Sequence, residues 1–190
     1  MTIIDCIGDV CPMPVIKTKR ALAEAKRGCF EIHVDNGISL ENVKKYIYSL
    51  GYDTNSITRD GYFAIIVDVD GDAKRIANKH SDSIVAISGN TMGHGDDELG
   101  HVLMKSFVFA LTQLDNLPQK IVLYNSGVLL ALEDSPVLAD LQTLSAAGVQ
   151  ILSCGLCIDY FNCANNLAVG EITNMYVILE MMQDGKVIRP

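Results

Sequence analysis

Two prolines, Pro12 and Pro14, follow Cys11 closely and stand at the start of an amphipathic run of residues. Proline is tolerated in an α-helix only within the first turn, because it has no N–H group to give to the preceding turn. The pair therefore predicts a helix that begins at Pro12, with Cys11 at or next to its N-cap. A helix N-terminus favours an anion, and the thiolate is the reactive form of cysteine. This position predicts a thiol used for chemistry rather than for packing.

Strand-like alternation and helical spacing follow one another along the first 70 residues. Gly28 and Gly51 are predicted to end two helices, Ser39 to cap the second, and Asp60-Gly61 to form the turn of a hairpin. The predicted order is β-α-β-α-β-β, a two-layer unit. The strands are Thr2–Cys6, Phe30–Val34, Asn55–Arg59 and Tyr62–Val69, and the helices are Val15–Arg27 and Ser39–Leu50.

The second half restarts with a continuous apolar run that is typical of a buried parallel strand. Its β-α-β-α-β alternation predicts a mostly parallel sheet. The predicted strands are Ser83–Ser88, Lys120–Asn125 and Val149–Ser153, with a last one at Lys186–Arg189; the predicted helices are Leu99–Leu114, Ser135–Ala147 and Asn174–Gln183. The chain is thus predicted to be α/β with two domains, residues 1–72 and 83–190, joined by a polar linker at 73–82.

Composition excludes several classes of function. The net charge is −8, and the second half holds the excess, because residues 76–190 carry five Lys and Arg against twelve Asp and Glu. Such a chain lacks the basic face that a nucleic acid requires. No run resembles a signal peptide or a membrane span, so we expect a cytoplasmic protein with no membrane partner. Six cysteines in a cytosolic chain indicate catalytic, redox or metal-binding thiols rather than a disulfide scaffold.

A second cysteine motif, Cys154-Gly155-Leu156-Cys157, follows the third predicted strand of the second domain. Reactive groups gather at the carboxyl ends of strands in open α/β sheets. The pair can be a redox couple, half of a metal site, or a nucleophile with its neighbour. The non-functional alternative is that both thiols simply pack in the core. Zinc usually needs four ligands, and only Cys163 and distant histidines could complete them, so we expect no metal.

Other residues are weaker candidates. Cys6 and Cys29 are interpreted as core or incidental, and Cys163 either as a resolving thiol or as packing. The glycine-rich loop Gly89–Gly95 lacks the ending of a phosphate-binding loop, so we expect no nucleotide and no other cofactor. Gly127 marks a strand-to-helix turn after the apolar run Ile121–Tyr124, and it could line a pocket with Asn125 and Ser126 at the same sheet edge.

The first domain resembles the TusA/SirA-like sulfur-carrier family. Asp5, Gly8 and Cys11-Pro12-Met13-Pro14 match that family's Asp-x-x-Gly-x-x-Cys-Pro-x-Pro signature, and Val15–Lys19 matches its basic first helix. The second domain resembles the DsrE/F-like family, with Cys154 at the position of its sulfur-accepting cysteine. The whole chain is similar to fusions of the YedF type, which are described as sulfurtransferase-like proteins of selenium metabolism. A CxxC stands here where sulfur-carrier DsrE-like proteins usually have one reactive cysteine.

The resemblance implies a carrier of persulfide sulfur or selenium rather than a stand-alone turnover enzyme. Cys11 would hold the sulfur, and Cys154 with Cys157 would receive or release it. The partners implied are a sulfur or selenium donor such as a cysteine desulfurase, a downstream acceptor, and further copies of the chain bound through the second domain. The supporting residues are Asp5, Gly8, Pro12, Pro14, Lys17, Lys19 and Arg20.

Two other readings stay open. In one, Cys154 and Cys157 form a thiol-disulfide switch or regulatory binding module, and Cys11 only caps a helix. In the other, the chain is a non-catalytic assembly module, because the helix Leu99–Leu114 is apolar nearly all round and would need burial or a partner subunit to cover it.

Overall fold

A computed structural model describes residues 1–25, 27–70 and 81–190. The chain forms two compact units, Met1–Ala77 and Asn78–Pro190. The predicted linker at 73–82 lies outside the described residues except for its last two positions. Those two, Ser81 and Asp82, belong to the first strand of the second unit, which begins earlier than predicted.

The first unit has the predicted β-α-β-α-β-β order and folds as two layers. Its mixed sheet has the order β1-β2-β4-β3, with β1 and β2 parallel and the other pairs antiparallel. One sheet face packs against both helices through a core that includes Phe30, Ile32, Val43, Ile47 and Ile65. The elements are β1 Thr2–Asp5, α1 Met13–Ala25, β2 Gly28–Val34, α2 Gly37–Ser49, β3 Thr54–Arg59 and β4 Tyr62–Val69.

Both helices of the first unit start and end within two residues of the predicted bounds. Helix α1 begins at Met13, one residue after the start that the proline pair predicts, and the Pro12 carbonyl accepts the first helical hydrogen bond from the Ile16 N–H at 3.2 Å. Helix α2 is capped by Asn36, not by Ser39: the Asn36 side chain accepts the Ser39 N–H at 2.8 Å. Asparagine is as good an N-cap as serine, so Asn36, which comes soon after the end of β2, can take this place before Ser39 is reached.

The second unit is a five-stranded, all-parallel sheet in the order β8-β7-β6-β5-β9. Helices cover both faces. One face packs against α3, α4, α5 and a 3-10 helix at Asn125–Ala131, and the other against α6 through Ile178. The elements are β5 Ser81–Ile87, α3 Asp97–Thr112, β6 Pro118–Leu123, α4 Leu138–Ala146, β7 Gln150–Cys154, α5 Gly155–Tyr160, β8 Glu171–Thr173, α6 Met175–Asp184 and β9 Lys186–Ile188.

The prediction of an α/β chain with a parallel second sheet is confirmed, although short elements were missed. The 3-10 helix, α5 and β8 have no counterpart in the predicted set, and strand β7 includes Cys154, which was expected just beyond it. Helix α4 starts at Leu138 rather than Ser135, because the Ser135 hydroxyl accepts the Val137 N–H at 3.3 Å in the turn before the helix. Among the described residues, no helix is long and apolar enough to cross a membrane.

Candidate functional site

Cys11 lies on the surface, in the loop between β1 and α1. Its position directly before Pro12, the N-cap residue of α1, agrees with the predicted place next to the cap. The peptide bond between Cys11 and Pro12 is cis. The sulfur therefore belongs to an exposed residue at the start of a 13-residue helix, which is where another molecule can reach it.

Backbone and side-chain hydrogen bonds order the loop that carries Cys11. The Asp5 carboxylate accepts the Ile7 N–H at 3.0 Å, and the Gly8 N–H donates to the Asp35 carboxylate at 2.8 Å. Gly8 has φ of +78°, a left-handed conformation that side-chain-bearing residues rarely adopt. Asp5 and Gly8 thus shape the turn that leads to the cysteine.

The prolines change what the first turn of α1 offers to an anion. Pro12 and Pro14 have no N–H, the Met13 N–H donates to the Val10 carbonyl at 2.9 Å, and that of Ile16 donates to Pro12. The first turn consequently provides the positive end of the helix dipole rather than a set of open N–H donors. Pro14 is also buried, and its carbonyl accepts the Thr18 hydroxyl at 2.8 Å, which fixes the helix start in place.

Lys17 belongs to an ion pair at the base of this loop. Its ammonium lies 2.6 Å from the Asp9 carboxylate and also donates to the Asp5 carbonyl at 3.1 Å. The hydrogen bond to Asp9 raises the pKa of Lys17. Of the three predicted basic residues, Lys17 therefore has its charge balanced by a neighbouring carboxylate; Lys19 and Arg20 continue the same helix.

Cys6 has the opposite surroundings to Cys11 although it lies only five residues away. Its side chain is buried in the core of the first unit. Burial, followed by the negative charge of Asp9, raises the pKa of Cys6 to about 11. Its thiol thus stays protonated near neutral pH, in line with the predicted role as a core residue.

Cys29 differs again, because its thiol is half-buried at the start of β2 and lies opposite Asp68 of β4. A hydrogen bond to the Asp68 carboxylate raises the pKa of Cys29. A raised pKa makes the thiolate scarcer, so Cys29 is a poorer nucleophile than its partial exposure alone suggests.

Cys154 and Cys157 come together at the carboxyl edge of the parallel sheet. Cys154 is the last residue of β7 and its side chain is only 1 % exposed, packed in the apolar cluster under α6. Cys157 lies one turn later in α5 and is half-buried. Cys157 packs against the same cluster, and the neighbouring Cys154 thiol raises the pKa of Cys157.

The predicted trio after β6 adjoins Cys157. The Asn125 N–H donates to the Cys157 sulfur at 3.0 Å, and the Ser126 hydroxyl accepts the Asn90 N–H at 3.3 Å. A side chain on Gly127 would overlap the carbonyl oxygen of Ile87 at the end of β5. The three residues therefore connect the ends of β5 and β6 to the thiol that follows β7.

Burial raises the pKa of Cys157, the Asn125 N–H acts in the opposite direction, and the hydrogen bond with Cys154 raises it further. A backbone N–H that points at the sulfur stabilises its anion. The site thus combines a mainly protonated resting thiol with one donor that is ready for a negative charge on that sulfur.

The remaining candidates lie elsewhere. The Cys163 thiol is buried and donates to the Ile158 carbonyl at 3.6 Å, within the cluster under α3 and α4. Asp96 caps α3 by accepting the Leu99 N–H at 2.9 Å. A cavity of about 310 Å³ lies beside α3 and includes Asn90 and His101 in its wall, but not the trio at Cys157.

The fold and these thiols define a two-domain α/β thiol protein with an exposed cysteine in one unit and a contacting pair in the other. The family model for the sulfurtransferase TusA matches residues 2–69, and the model for the DsrE/DsrF-like family matches residues 84–190. The chain belongs to these families as a fusion of a TusA domain and a DsrE/DsrF-like domain.

Relatives of the first domain carry names that refer to sulfur. A proposed sulfur carrier protein of Methanocaldococcus jannaschii is 44 % identical over 50 residues, which are 26 % of this chain and 67 % of the relative. A second, from Thermotoga maritima, is 36 % identical over 59 residues, 30 % of this chain and 75 % of the relative. A SirA-like protein of Desulfitobacterium hafniense is similar in structure, with 39 % identity and a TM-score of 0.35 over 38 % of this chain and all of that one.

The order in which the six thiols react provides a direct test of this geometry. In the native chain at pH 8, we expect iodoacetamide to modify Cys11 first, Cys29 and Cys157 more slowly, and the buried Cys6, Cys154 and Cys163 only after unfolding. With a pKa of about 11, Cys6 is thiolate in only about one molecule in a thousand at that pH.

Peptide mass spectrometry at timed quenches measures that order. Cys11→Ser should remove the fastest phase, whereas Cys29→Ser, which alters another accessible thiol of the same unit, should leave it unchanged. Labelling of Cys6 at a rate similar to that of Cys11 would contradict the structure.

The alkaline stability of the first unit depends on Cys6. Because folding raises the pKa of this thiol from 9.0 to about 11, the folded state favours the protonated form. Its stabilising contribution is complete below pH 9 and is lost as the pH rises from 9 to 11, a change on the order of 2–3 kcal/mol.

Urea unfolding from pH 8 to 11 measures this contribution. At each urea concentration, a pulse of hydrogen exchange at one fixed pH reports how strongly the β2 peptide is protected. We expect Cys6→Ala to flatten the alkaline decline of this peptide. Cys163→Ala changes a buried thiol of the other unit and should not affect it. An equally steep decline in Cys6→Ala would show that other groups cause the loss.

Proposed function

We propose that this protein is a sulfur carrier in which Cys11 holds sulfur as a persulfide. The proposal rests on the exposed position of Cys11 at the start of α1, within a TusA domain. Persulfides are anionic near neutral pH, and the positive end of the helix dipole favours an anion at that place. The relatives named as sulfur carriers support the same role.

The transfer needs one nucleophilic step. The Cys11 thiolate attacks the outer sulfur of a persulfide on a donor protein, a new S–S bond forms at Cys11, and the donor cysteine leaves as its thiolate. No electrons are gained or lost overall, because one persulfide replaces another. A carrier of this kind needs no cofactor and no general base beyond the solvent, and it completes no chemical conversion alone.

Two properties of the loop suit that step. The Ile7 N–H donates to the Asp5 carboxylate and the Gly8 N–H donates to the Asp35 carboxylate, and both bonds hold the turn before Cys11, so a docking donor meets an ordered backbone. The ion pair of Lys17 with Asp9 lies at the base of the loop, on the helix whose first half was predicted to be basic. We propose that an acidic surface of the donor or acceptor docks there.

The natural donor is a cysteine desulfurase or an equivalent source of protein-bound sulfur or selenium, and the acceptor is a downstream protein or the Cys154 and Cys157 pair. Of that pair, Cys157 is the accessible member and Cys154 is buried. The six free thiols suit a reducing compartment, and we place the protein in the cytoplasm.

Loading by a cysteine desulfurase tests the carrier role. The full chain is incubated with the desulfurase and cysteine, and each thiol is examined by peptide mass spectrometry without reductant. We expect an adduct of about 32 Da, one sulfur atom, on Cys11. Cys11→Ser should abolish loading of the first unit, and Cys29→Ser should leave it intact. A first unit that stays unmodified, or carries sulfur only on Cys29, would refute the proposal.

The second unit has an exposed apolar stripe that we propose as a contact between copies. Leu99, Val102 and Leu103 on α3 are 56 %, 58 % and 41 % exposed, and their spacing puts them on one side of the helix. The buried side of α3, with Met104, Val108 and Leu111, packs on the sheet. The helix predicted to be apolar nearly all round thus has one apolar face exposed among the described residues.

Light scattering after size exclusion tests this contact. We expect the wild-type chain to elute as an oligomer and Val102→Glu to shift it to smaller species. Gln142→Glu adds the same charge at an exposed position of α4 and should leave the size unchanged. A monomeric wild-type chain would exclude the oligomer.

A further inference from the structure

The thiol pair at the sheet edge consists of two unequal members that pack in the same apolar cluster. Cys157 is half-buried, beside the highly exposed Leu156 and Tyr160. Cys154 is 1 % exposed and surrounded by Val122, Leu152 and Ile178. Only Cys157 can meet a sulfur donor from solution, while Cys154 meets Cys157.

The Cys157 sulfur has a fixed backbone donor on its other side. Asn125 adopts φ of +51°, a left-handed conformation that is uncommon for residues other than glycine, and its N–H lies 3.0 Å from the sulfur. The residues just after it cannot shift freely, because Gly127 is packed against the carbonyl of Ile87. A donor held in this way stabilises the thiolate of Cys157, which is the form that attacks a donor persulfide.

We propose that this pair discharges the carried sulfur as sulfide: Cys157 takes it as a persulfide, and Cys154 displaces it by closing a disulfide. This goes further than carriage, because carriage needs only one thiol. It rests on the proposed function for the supply of sulfur, although any persulfide that reaches Cys157 would serve.

The two steps balance in atoms and electrons. In the first, the Cys157 thiolate attacks the outer sulfur of the donor persulfide, and the donor thiolate leaves. In the second, Cys154 attacks the Cys157 sulfur, the bond to the terminal sulfur breaks, and that sulfur leaves as hydrosulfide with the proton from Cys154. Two thiol sulfurs are oxidised to a disulfide while the sulfane sulfur is reduced to sulfide. A dithiol reductant then reopens the disulfide for another round.

The positions of the cysteines determine which one performs each step. A sulfur atom attached to Cys154 would have to fit into the apolar cluster beneath α6, whereas Cys157 lies at the edge of that cluster. Cys163 is directed to the Ile158 carbonyl in the cluster on the other sheet face. Cys154 is accordingly the resolving thiol, and Cys163 is not.

The test uses the full chain in a Cys11→Ser, Cys29→Ser background, so that the other accessible thiols are absent. One equivalent of glutathione persulfide is added without reductant, and sulfide is trapped with monobromobimane. We expect about one sulfide per chain, together with a mass loss of about 2 Da in the peptide that links Cys154 and Cys157. Cys154→Ser should instead keep about 32 Da on Cys157 and release sulfide at least tenfold more slowly.

Matched variants separate the alternatives. Cys154→Ala guards against misfolding caused by a hydroxyl in the apolar cluster and should behave as Cys154→Ser, with circular dichroism confirming the fold of both. Cys163→Ser should discharge as the background does. A stable persulfide on Cys157 in the background protein, or equal sulfide release without Cys154, would overturn the proposal. Because Cys11 is absent, neither result depends on whether a desulfurase loads it.

Discussion

Parallel pairing of the strands is the constraint on which the chemistry of the second unit depends. Because β5, β6, β7 and β8 run in the same direction, their carboxyl ends lie at one edge of the sheet. The segments that leave this edge are close enough to touch, so the Asn125 N–H after β6 reaches the sulfur of Cys157 after β7. An antiparallel neighbour would have placed one of these groups at the opposite end of the sheet.

Close backbone contacts fix the position of the Asn125 N–H at that edge of the sheet. The turn after β6 passes so near the end of β5 that a side chain at Gly127 would overlap the Ile87 carbonyl oxygen, and the Tyr124 N–H donates to the same oxygen at 3.1 Å. A residue larger than glycine would push the 3-10 helix away and withdraw the N–H of Asn125 from the thiol. Glycine at position 127 is thus needed for the hydrogen bond to Cys157 as well as for the packing of this turn against β5.

The sequence predicted much of the fold and the location of both thiol sites, for identifiable reasons. Strong periodicity, the Asp60-Gly61 turn and the paired prolines act locally, and they placed the main elements of the first unit within one or two residues. Helix α5 and strand β8 are six and three residues long, too short for a periodic pattern, and only tertiary contacts define them. Burial of Cys154 and the contact of Asn125 with Cys157 are long-range results of strand order, which spacing along the chain does not encode.

The two units hold their thiols in physically opposite surroundings, and in our proposal this difference separates carrying sulfur from releasing it. Cys11 is exposed at the start of α1, where an acceptor thiol can reach a persulfide that it holds. Cys157 has a second thiol beside it in Cys154, which lies in the same apolar cluster and is shielded from water. A persulfide beside such a neighbour is short-lived, because attack within one molecule needs no encounter and gains the effective concentration of a fixed geometry. The proposal therefore assigns transfer of sulfane sulfur to the exposed single thiol and its conversion to sulfide to the pair.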